Sequence, residues 1–179
     1  LKFTGQGEVF YFQQRVGKNK NIFNVIKFAT MLKESPNIGA GGITLTDDPR
    51  VLPVGKFLRK SKINELPQIF NIFNGEMSFV GPRPLMLKQY SFYTESQQNI
   101  IKKMRPGLTG IGSIVFRDEE KFFKLHTDPD HVYKSTIAPA KGLLEIWFWK
   151  NRSLLLYFRI IFLTAKVVIH PKTSPTHLL

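Results

Sequence analysis

The stretch Lys62-Ile-Asn-Glu-Leu-Pro-Gln-Ile-Phe-Asn-Ile-Phe-Asn-Gly-Glu-Met-Ser-Phe-Val-Gly-Pro-Arg-Pro84 places a helical pattern directly before a rigid turn. Its apolar residues with the spacing of one helix face lie at positions 66, 69, 70 and 73. This spacing predicts a helix over residues 65–73. Asn64 suits the N-cap, Pro67 is tolerated in the first turn, and Asn74-Gly75 is a helix-ending pair.

The composition indicates one folded domain with an anionic partner. The chain has 179 residues, 42% hydrophobic content and 16 Phe, which is enough for a core and argues against disorder. It carries 26 basic and 13 acidic residues, so its net charge is +13. Such an excess points to nucleic acid, phosphorylated small molecules or an acidic membrane surface. The absence of cysteine excludes disulfides and thiolate metal sites.

The pattern along the chain predicts an α+β fold in a single domain over residues 1–179, with a short β-hairpin and several helices. Strands are predicted at 8–16 and 22–28 around a turn at Gly17–Asn21. The remaining predictions are a loop at 37–42, helices near 54–60 and over 85–104, a strand or loop at 108–116, an irregular or helical segment at 121–135, and a long helical or broken-helical tail over 143–170.

The tail has the composition of an interfacial helix. Arg152, Arg159 and Lys166 are seven residues apart, which puts them on one stripe of a helix whose other residues are mostly apolar. The uncharged runs between these cations are far shorter than the roughly 20 residues that span a bilayer. The pattern favours helices lying in the headgroup layer of a membrane. The alternative is a buried terminal helix whose basic stripe faces water.

Two residues of the opening stretch suit phosphate chemistry. Glu65 is a suitable ligand for Mg²⁺, which prefers oxygen and often takes only one or two carboxylates. Arg83 lies between two prolines, from where its planar guanidinium can bind phosphate oxygens. Arg15, Arg50 and Arg59 are further phosphate-binding candidates, and for every arginine the alternative is a surface or carboxylate-paired residue.

An ordered set of motifs over roughly residues 5–165 resembles the bacterial sugar transferase family, the monotopic phosphoglycosyl transferases that act on polyprenyl phosphates. The motifs are Gln14-Arg-Val-Gly17, Lys27-Phe28, Asp48-Pro-Arg50, Gly55-Lys-Phe-Leu-Arg59, Glu65-Leu-Pro-Gln68, Gly75-Glu-Met-Ser78, Gly81-Pro-Arg-Pro84 and Pro106-Gly-Leu-Thr-Gly110. The resemblance implies transfer of a phosphosugar from a UDP-sugar to a polyprenyl phosphate, with release of UMP. This reaction starts a surface glycan (capsule, exopolysaccharide or O-antigen) at the cytoplasmic face of the bacterial inner membrane. The resemblance also implies a re-entrant membrane helix ahead of Leu1, so we expect the chain to be a fragment.

One position departs from the family pattern. The family's catalytic pair is Asp-Glu, and its aspartate attacks the phosphorus that carries the sugar; here Asn64 occupies that position, and an amide is a feeble nucleophile. Three explanations stay open: Glu65 is the nucleophile, the polyprenyl phosphate attacks directly, or the chain is inactive. The acidic cluster Asp118-Glu-Glu120 offers a replacement, because Asp118 or Glu119 would restore the missing carboxylate if it folds toward Glu65.

Two other functional classes compete with this interpretation. A non-catalytic family member that binds a membrane or a partner enzyme would also tolerate Asn64. A nucleic-acid-binding protein rests on charge alone, and the chain shows neither a basic, aromatic-studded sheet nor a recognition helix, so no nucleic acid is expected. The sequence leaves the sugar and the oligomeric state open, a homo-oligomer included.

Overall fold

The computed structural model describes residues 1, 6–37, 48–119 and 128–170, and within them the predicted α+β class is confirmed. The predicted loop at 37–42 lies almost wholly outside the described residues, as do Glu120 and half of the segment 121–135. The strands are β1 Phe10–Val16, β2 Ile22–Phe28, β3 Ser78–Val80 and β4 Gly107–Thr109. The α-helices are α1 Pro53–Lys60, α2 Gln68–Phe73, α3 Leu87–Tyr90, α4 Glu95–Ile101, α5 Ile111–Val115, α6 Pro129–Val132, α7 Ala138–Asn151 and α8 Leu154–Ile169. A π-helical segment, Tyr133–Ile137, joins α6 to α7.

The predicted hairpin is present as the antiparallel pair β1–β2, in register from Phe10 opposite Phe28 to Val16 opposite Ile22. Burial alternates over residues 10–15 of β1, where the even positions are exposed and the odd positions face the protein, and the strand ends at the buried Val16. The edge of β2 that faces away from β1 is hydrogen-bonded by the side chain of Asn71 rather than by another strand. Asn71 Oδ1 accepts from the Ile26 N–H at 3.0 Å, and Asn71 Nδ2 donates to the Asn24 carbonyl at 2.8 Å.

The parallel pair β3–β4 brings the turn that carries Arg83 against the chain at 105–110. Ser78 pairs with Gly107 and Val80 with Thr109. The approach is so close that a Cβ on Gly107 would lie 2.1 Å from the Gly81 nitrogen, and one on Gly110 would lie 2.1 Å from the Gly81 oxygen. Only glycines allow this contact, which fixes where the Gly81–Pro84 turn lies.

The core lies between α4, α5, α7, α8 and the two short strands. Its most buried members include Ile111, Ile114, Ile137, Ala138 and Ile160. Burial of such side chains contributes about 1.5–3 kcal/mol each for the larger ones. The predicted helix over 85–104 is instead two short helices, α3 and α4, because a capping box at Thr94 starts a new helix at Glu95.

The helix predicted over 65–73 is shorter in the structure. Its polar face is buried and its apolar face is exposed, the reverse of an amphipathic helix packed on a core. Residues Ile63–Glu65 form a 3₁₀ turn and α2 begins at Gln68 with Pro67 at its N-cap, so the prediction of Asn64 as N-cap is wrong. The buried face of α2 is polar, since Gln68 and Asn71 are the buried residues. The apolar residues of the predicted face, Leu66, Ile69, Phe70 and Phe73, are exposed. The helix ends at Asn74-Gly75 as predicted.

The tail is helical and broken. Ser153 caps α8 by accepting the Leu156 N–H, and Arg152 lies in the break with its guanidinium 3.4 Å from the centre of the Trp149 ring. The seven-residue stripe therefore does not run along one helix. In α8 one face is buried, whereas Leu154, Leu155, Phe158, Phe162 and Ile169 are exposed. Among the described residues, no helix combines the length and hydrophobicity that crossing a membrane requires.

Candidate active site

A cavity of about 530 Å³ opens between the hairpin, the 63–65 turn, the turn that carries Arg83, and the chain around α7. Its charged lining residues are Glu8, Arg15, Lys27, Lys33, Arg59, Glu65, Arg83, Glu119 and Lys141. These are six cations and three carboxylates, so the cavity is suited to an anionic ligand. We call it the charged cavity.

An ion pair joins the two residues that the sequence placed at the centre of the chemistry. Arg83 Nη2 donates to Glu65 Oε1 at 3.0 Å. Burial alone would raise the pKa of Glu65, but the charge and hydrogen bond of Arg83 and the charge of Lys27 hold that pKa well below its usual range. Glu65 is therefore an ionised carboxylate at neutral pH.

The inner face of the hairpin supplies two more cations. Arg15 lies on the odd-numbered face of β1, and Lys27 lies opposite Tyr11 on the same face. Arg15 is held by Gln13 Oε1 at 2.5 Å and by the Pro84 carbonyl at 3.4 Å. Burial lowers the pKa of Lys27 to about 7, against the opposing charge of Glu65. Lys27 was not among the predicted site residues, although the predicted hairpin places it on the same face as Arg15, opposite Tyr11, which was a usable signal.

Asn64 lines the charged cavity beside Glu65 and is only 7% exposed. Within the described residues its Oδ1 is buried and has no hydrogen-bond partner. A buried acceptor without a partner costs free energy, about 1–3 kcal/mol, unless a ligand satisfies it. The amide oxygen is therefore available to a bound molecule or ion.

The acidic cluster contributes Glu119 and not Asp118. Asp118 is 51% exposed, lies 3.7 Å from Arg117 Nε, and does not line the charged cavity. The Glu119 side chain is 25% exposed, lines the cavity, and forms an ion pair with Lys141. Lys141 is itself 5% exposed, and its ammonium lies over the rings of Tyr133 and Phe116.

Of the four predicted phosphate-binding arginines, three line the cavity: Arg15, Arg59 and Arg83. The fourth, Arg50, is buried elsewhere. Its Nε and Nη2 bond the two carboxylate oxygens of Asp48 at 2.8 and 2.6 Å, and its Nη1 donates to the Ser35 carbonyl at 2.9 Å. Arg50 is therefore a carboxylate-paired residue, the alternative given for each arginine, and it does not line the charged cavity; its phosphate-binding role stays a prediction.

The residues present fit Mg²⁺ held jointly with a phosphorylated ligand. The described residues contain no cluster of three or more His, Cys, Asp or Glu that would enclose a metal alone. Mg²⁺ does not need one, because it commonly keeps several waters and takes one or two carboxylates together with substrate phosphates. Ionised Glu65 and the unpaired Oδ1 of Asn64 are neighbouring oxygen donors of the required kind.

The sequence model of the bacterial sugar transferase family matches residues 1–171, so the chain belongs to this family, as its ordered motifs predicted. It is 33% identical to galactosyl transferase CpsE of Streptococcus agalactiae over 91% of this chain and 35% of that protein. It is 30% identical to the undecaprenyl-phosphate galactose phosphotransferase of Salmonella typhimurium, over 91% of this chain and 34% of that protein. It is 32% identical to the undecaprenyl-phosphate glucose phosphotransferase of Komagataeibacter xylinus, over 97% of this chain and 32% of that protein. The chain thus spans about a third of the length of these relatives.

Proposed function

We propose that this chain is the catalytic part of a phosphoglycosyl transferase that moves a phosphosugar from a UDP-sugar to a polyprenyl phosphate and releases UMP. The observation that carries the proposal is the charged cavity, in which Glu65 and Arg83 are paired among further cations. The relatives named as undecaprenyl-phosphate galactose and glucose phosphotransferases support this reaction class.

The cations of the cavity suit the charge that such a reaction moves. Breaking a diphosphate places negative charge on phosphoryl oxygens, which preorganised donors stabilise. Arg15 and Arg59 bind the diphosphate together with Arg83, whose fork is fixed by Glu65 and by the rigid turn. Mg²⁺, held by Glu65 and the Asn64 Oδ1, would neutralise phosphate charge when bound.

The exposed apolar residues suit a protein that meets its acceptor at a membrane. The most exposed of them are Phe57, Phe73, Leu87, Leu143, Leu154, Leu155, Phe158, Phe162 and Ile169. Together with a net charge of +13, such side chains favour the interface of an anionic bilayer. The site of action is then the cytoplasmic face of the bacterial inner membrane, where the product starts a surface glycan.

The proposal is tested by measuring UMP release. Purified protein is given Mg²⁺, undecaprenyl phosphate and, in turn, UDP-glucose, UDP-galactose and UDP-N-acetylgalactosamine. We expect UMP in proportion to the lipid product with at least one donor, and loss of this release in Glu65→Gln. Lack of release with a broad donor panel would contradict an active enzyme.

Asn64 favours a second candidate, a family member that binds the donor without turnover, because the amide cannot act as the usual nucleophile. The two candidates separate in one measurement. Binding of UDP-sugar by calorimetry with no UMP release, unchanged in Asn64→Asp, would support the non-catalytic protein.

A further inference from the structure

Glu119 is a carboxylate of the charged cavity to which the proposed function assigns no role. Its three carboxylates are Glu8, Glu65 and Glu119. Glu8 is 48% exposed and paired with Lys33 at 3.1 Å, and Glu65 is bonded to Arg83 at 3.0 Å. Glu119 is the third acid: it is paired with Lys141, the proposed function assigns it no role, and it lies far along the chain from the 63–65 turn.

Lys141 fixes the position of Glu119. The ammonium of Lys141 is buried, lies 5.2 Å from the centre of the Tyr133 ring and 5.6 Å from that of Phe116, and donates to Glu119 Oε2. A charge held on three sides has little freedom, so the carboxylate that it bonds is held as well. Among the described residues, Glu119 Oε1 makes no hydrogen bond, which leaves one oxygen of an anchored carboxylate available to a ligand.

Glu119 also lies close to the phosphate-binding centre. Glu119 lines the charged cavity together with Arg83 and Glu65, and the negative charges of Glu65 first and of Glu119 to a smaller extent raise the pKa of Arg83. A diphosphate bound by Arg83 therefore has two carboxylates in its surroundings, Glu65 from the 63–65 turn and Glu119 from the chain that follows α5. A route through a covalent intermediate needs a protein nucleophile there, and the amide at position 64 is a feeble one.

We propose that Glu119, positioned by Lys141, is the nucleophile of this chain and replaces the carboxylate that position 64 lacks. The assignment rests on the proposed function. Glu119 Oε1 donates an electron pair to the phosphorus that bears the sugar, and the bond from that phosphorus to the bridging oxygen breaks, so UMP leaves with the electron pair. The product is a mixed anhydride of the Glu119 carboxyl with the sugar phosphate. An oxygen of polyprenyl phosphate then attacks the same phosphorus, and the Glu119 carboxylate leaves unchanged.

The test is to trap that anhydride. The purified protein is mixed with Mg²⁺ and UDP-galactose, UDP-glucose or UDP-N-acetylgalactosamine labelled with ³²P in the phosphate next to the sugar, without a lipid acceptor. We expect a burst of UMP approaching one equivalent, label on the protein that hydroxylamine releases, and reduction of the labelled side chain by borohydride at residue 119. Adding undecaprenyl phosphate should move the label to lipid.

Four variants make the result specific. Glu119→Gln should lose the label, Glu119→Asp should keep a reduced amount at the same position, and Glu95→Gln, on the exposed start of α4, should match the parent. Asp118→Asn should also keep the label, because its side chain lies outside the cavity. The aspartate variant shows that loss in the glutamine variant reflects chemistry and not misfolding.

The other outcomes are informative. Label at Glu65, or UMP release that occurs only with lipid acceptor and leaves no label on protein, would overturn the assignment while preserving the proposed function. Absence of UMP release with and without acceptor, across all three donors, would defeat the proposed function itself.

Discussion

At the scale of single residues, the buried side chain of Glu145 in α7 makes the stability of the fold depend on pH. It is 3% exposed, and within the described residues its Oε2 has no hydrogen-bond partner. Burial raises the pKa of Glu145 to about 7, against the hydrogen bond from the Gly112 N–H and the charge of Lys141. The folded chain therefore holds this proton more tightly than the unfolded chain does.

The consequence is a loss of stability on raising pH. The contribution of protonated Glu145 is fully present below its ordinary pKa of 4.5 and is lost as pH rises through about 7. The whole shift corresponds to roughly 3 kcal/mol. We expect Glu145→Gln to unfold at higher urea concentration than the parent at pH 8 but not at pH 4.5. Glu95→Gln is the control, and an equal pH dependence in parent and Glu145→Gln would contradict the prediction.

Position 64 offers a rescue experiment. If Glu119 supplies the nucleophile in place of Asn64, then Asn64→Asp in the Glu119→Gln background should restore the missing carboxylate from the other side of the cavity. We expect about tenfold or more recovery of UMP release over Glu119→Gln alone. The labelled residue should then be Asp at 64, and failure to recover would mean that the two positions do not reach the same phosphorus.

Substitutions of Arg83 and Arg50 test whether the first arginine serves the reaction and the second serves the stability of the fold. Arg83→Lys keeps the charge but loses the planar fork, so we expect kcat/KM to fall by about 10²-fold with little change in the free energy of unfolding. Arg50→Ala leaves Asp48 buried without this partner, so we expect the free energy of unfolding to fall by about 3–5 kcal/mol. Its KM, measured on folded protein, should match the parent. The opposite pattern would reverse the two assignments.

Sequence reasoning found four of the charged residues that line the candidate site, but it did not choose between the neighbours Asp118 and Glu119. Glu65, Arg83, Arg15 and Arg59 were predicted from motifs and constrained turns, and the cavity contains all four. Whether Asp118 or Glu119 faces the cavity depends on the backbone direction at the end of α5 and on Lys141, which is 22 residues further along the chain. No local pattern encodes that contact.

At the scale of elements, α2 shows what periodicity determines. The apolar spacing predicted a helix, and a helix is present, but its polar face is the buried one. Periodicity reports that two faces differ, and it does not report which one meets the protein. Here the amide of Asn71 satisfies backbone groups of β2, so burying the polar side is favourable and the apolar side is left for another surface.

The contact between Gly81 and Gly110 provides a prediction for the β3–β4 element. A Cβ on Gly110 would lie 2.1 Å from the Gly81 oxygen, so Gly110→Ala must push the Gly81–Pro84 turn and Arg83 away. We expect a loss of about 1–3 kcal/mol in the free energy of unfolding, together with weaker UDP binding by calorimetry. Ser113→Ala, in α5, is the control and should bind UDP like the parent. Unchanged UDP binding in Gly110→Ala would show that the turn does not need this contact.

At the scale of the whole molecule, the exposed apolar residues of α8 predict vesicle binding. Phe158 and Phe162 are one helical turn apart and both largely exposed. We expect Phe158→Ser with Phe162→Ser to lower partitioning onto anionic phospholipid vesicles by about tenfold or more, measured by sedimentation, because apolar area drives interfacial binding. Asn99→Ser, which exchanges one polar residue for another at an exposed position of α4, is the control. Equal partitioning of all three proteins would show that these two phenylalanines do not contribute to vesicle binding.

The general architecture was predictable because hairpin, helix and turn signals are local. The charged cavity was not, because it joins residues from β1, the 63–65 turn, the Gly81–Pro84 turn and α7. Those parts meet through contacts that only the folded chain has, such as the Val16 N–H bonding the Leu85 carbonyl at 2.9 Å.

The amide of Asn71 has a consequence for solubility. An open strand border invites pairing with another molecule, and β2 would present one where the Asn24 carbonyl and Ile26 N–H point outward. By hydrogen-bonding both groups, the Asn71 side chain blocks the pairing of β2 with a strand of a second molecule. We expect loss of the Asn71 amide to leave both groups open to pairing and to make the protein more prone to strand-to-strand aggregation.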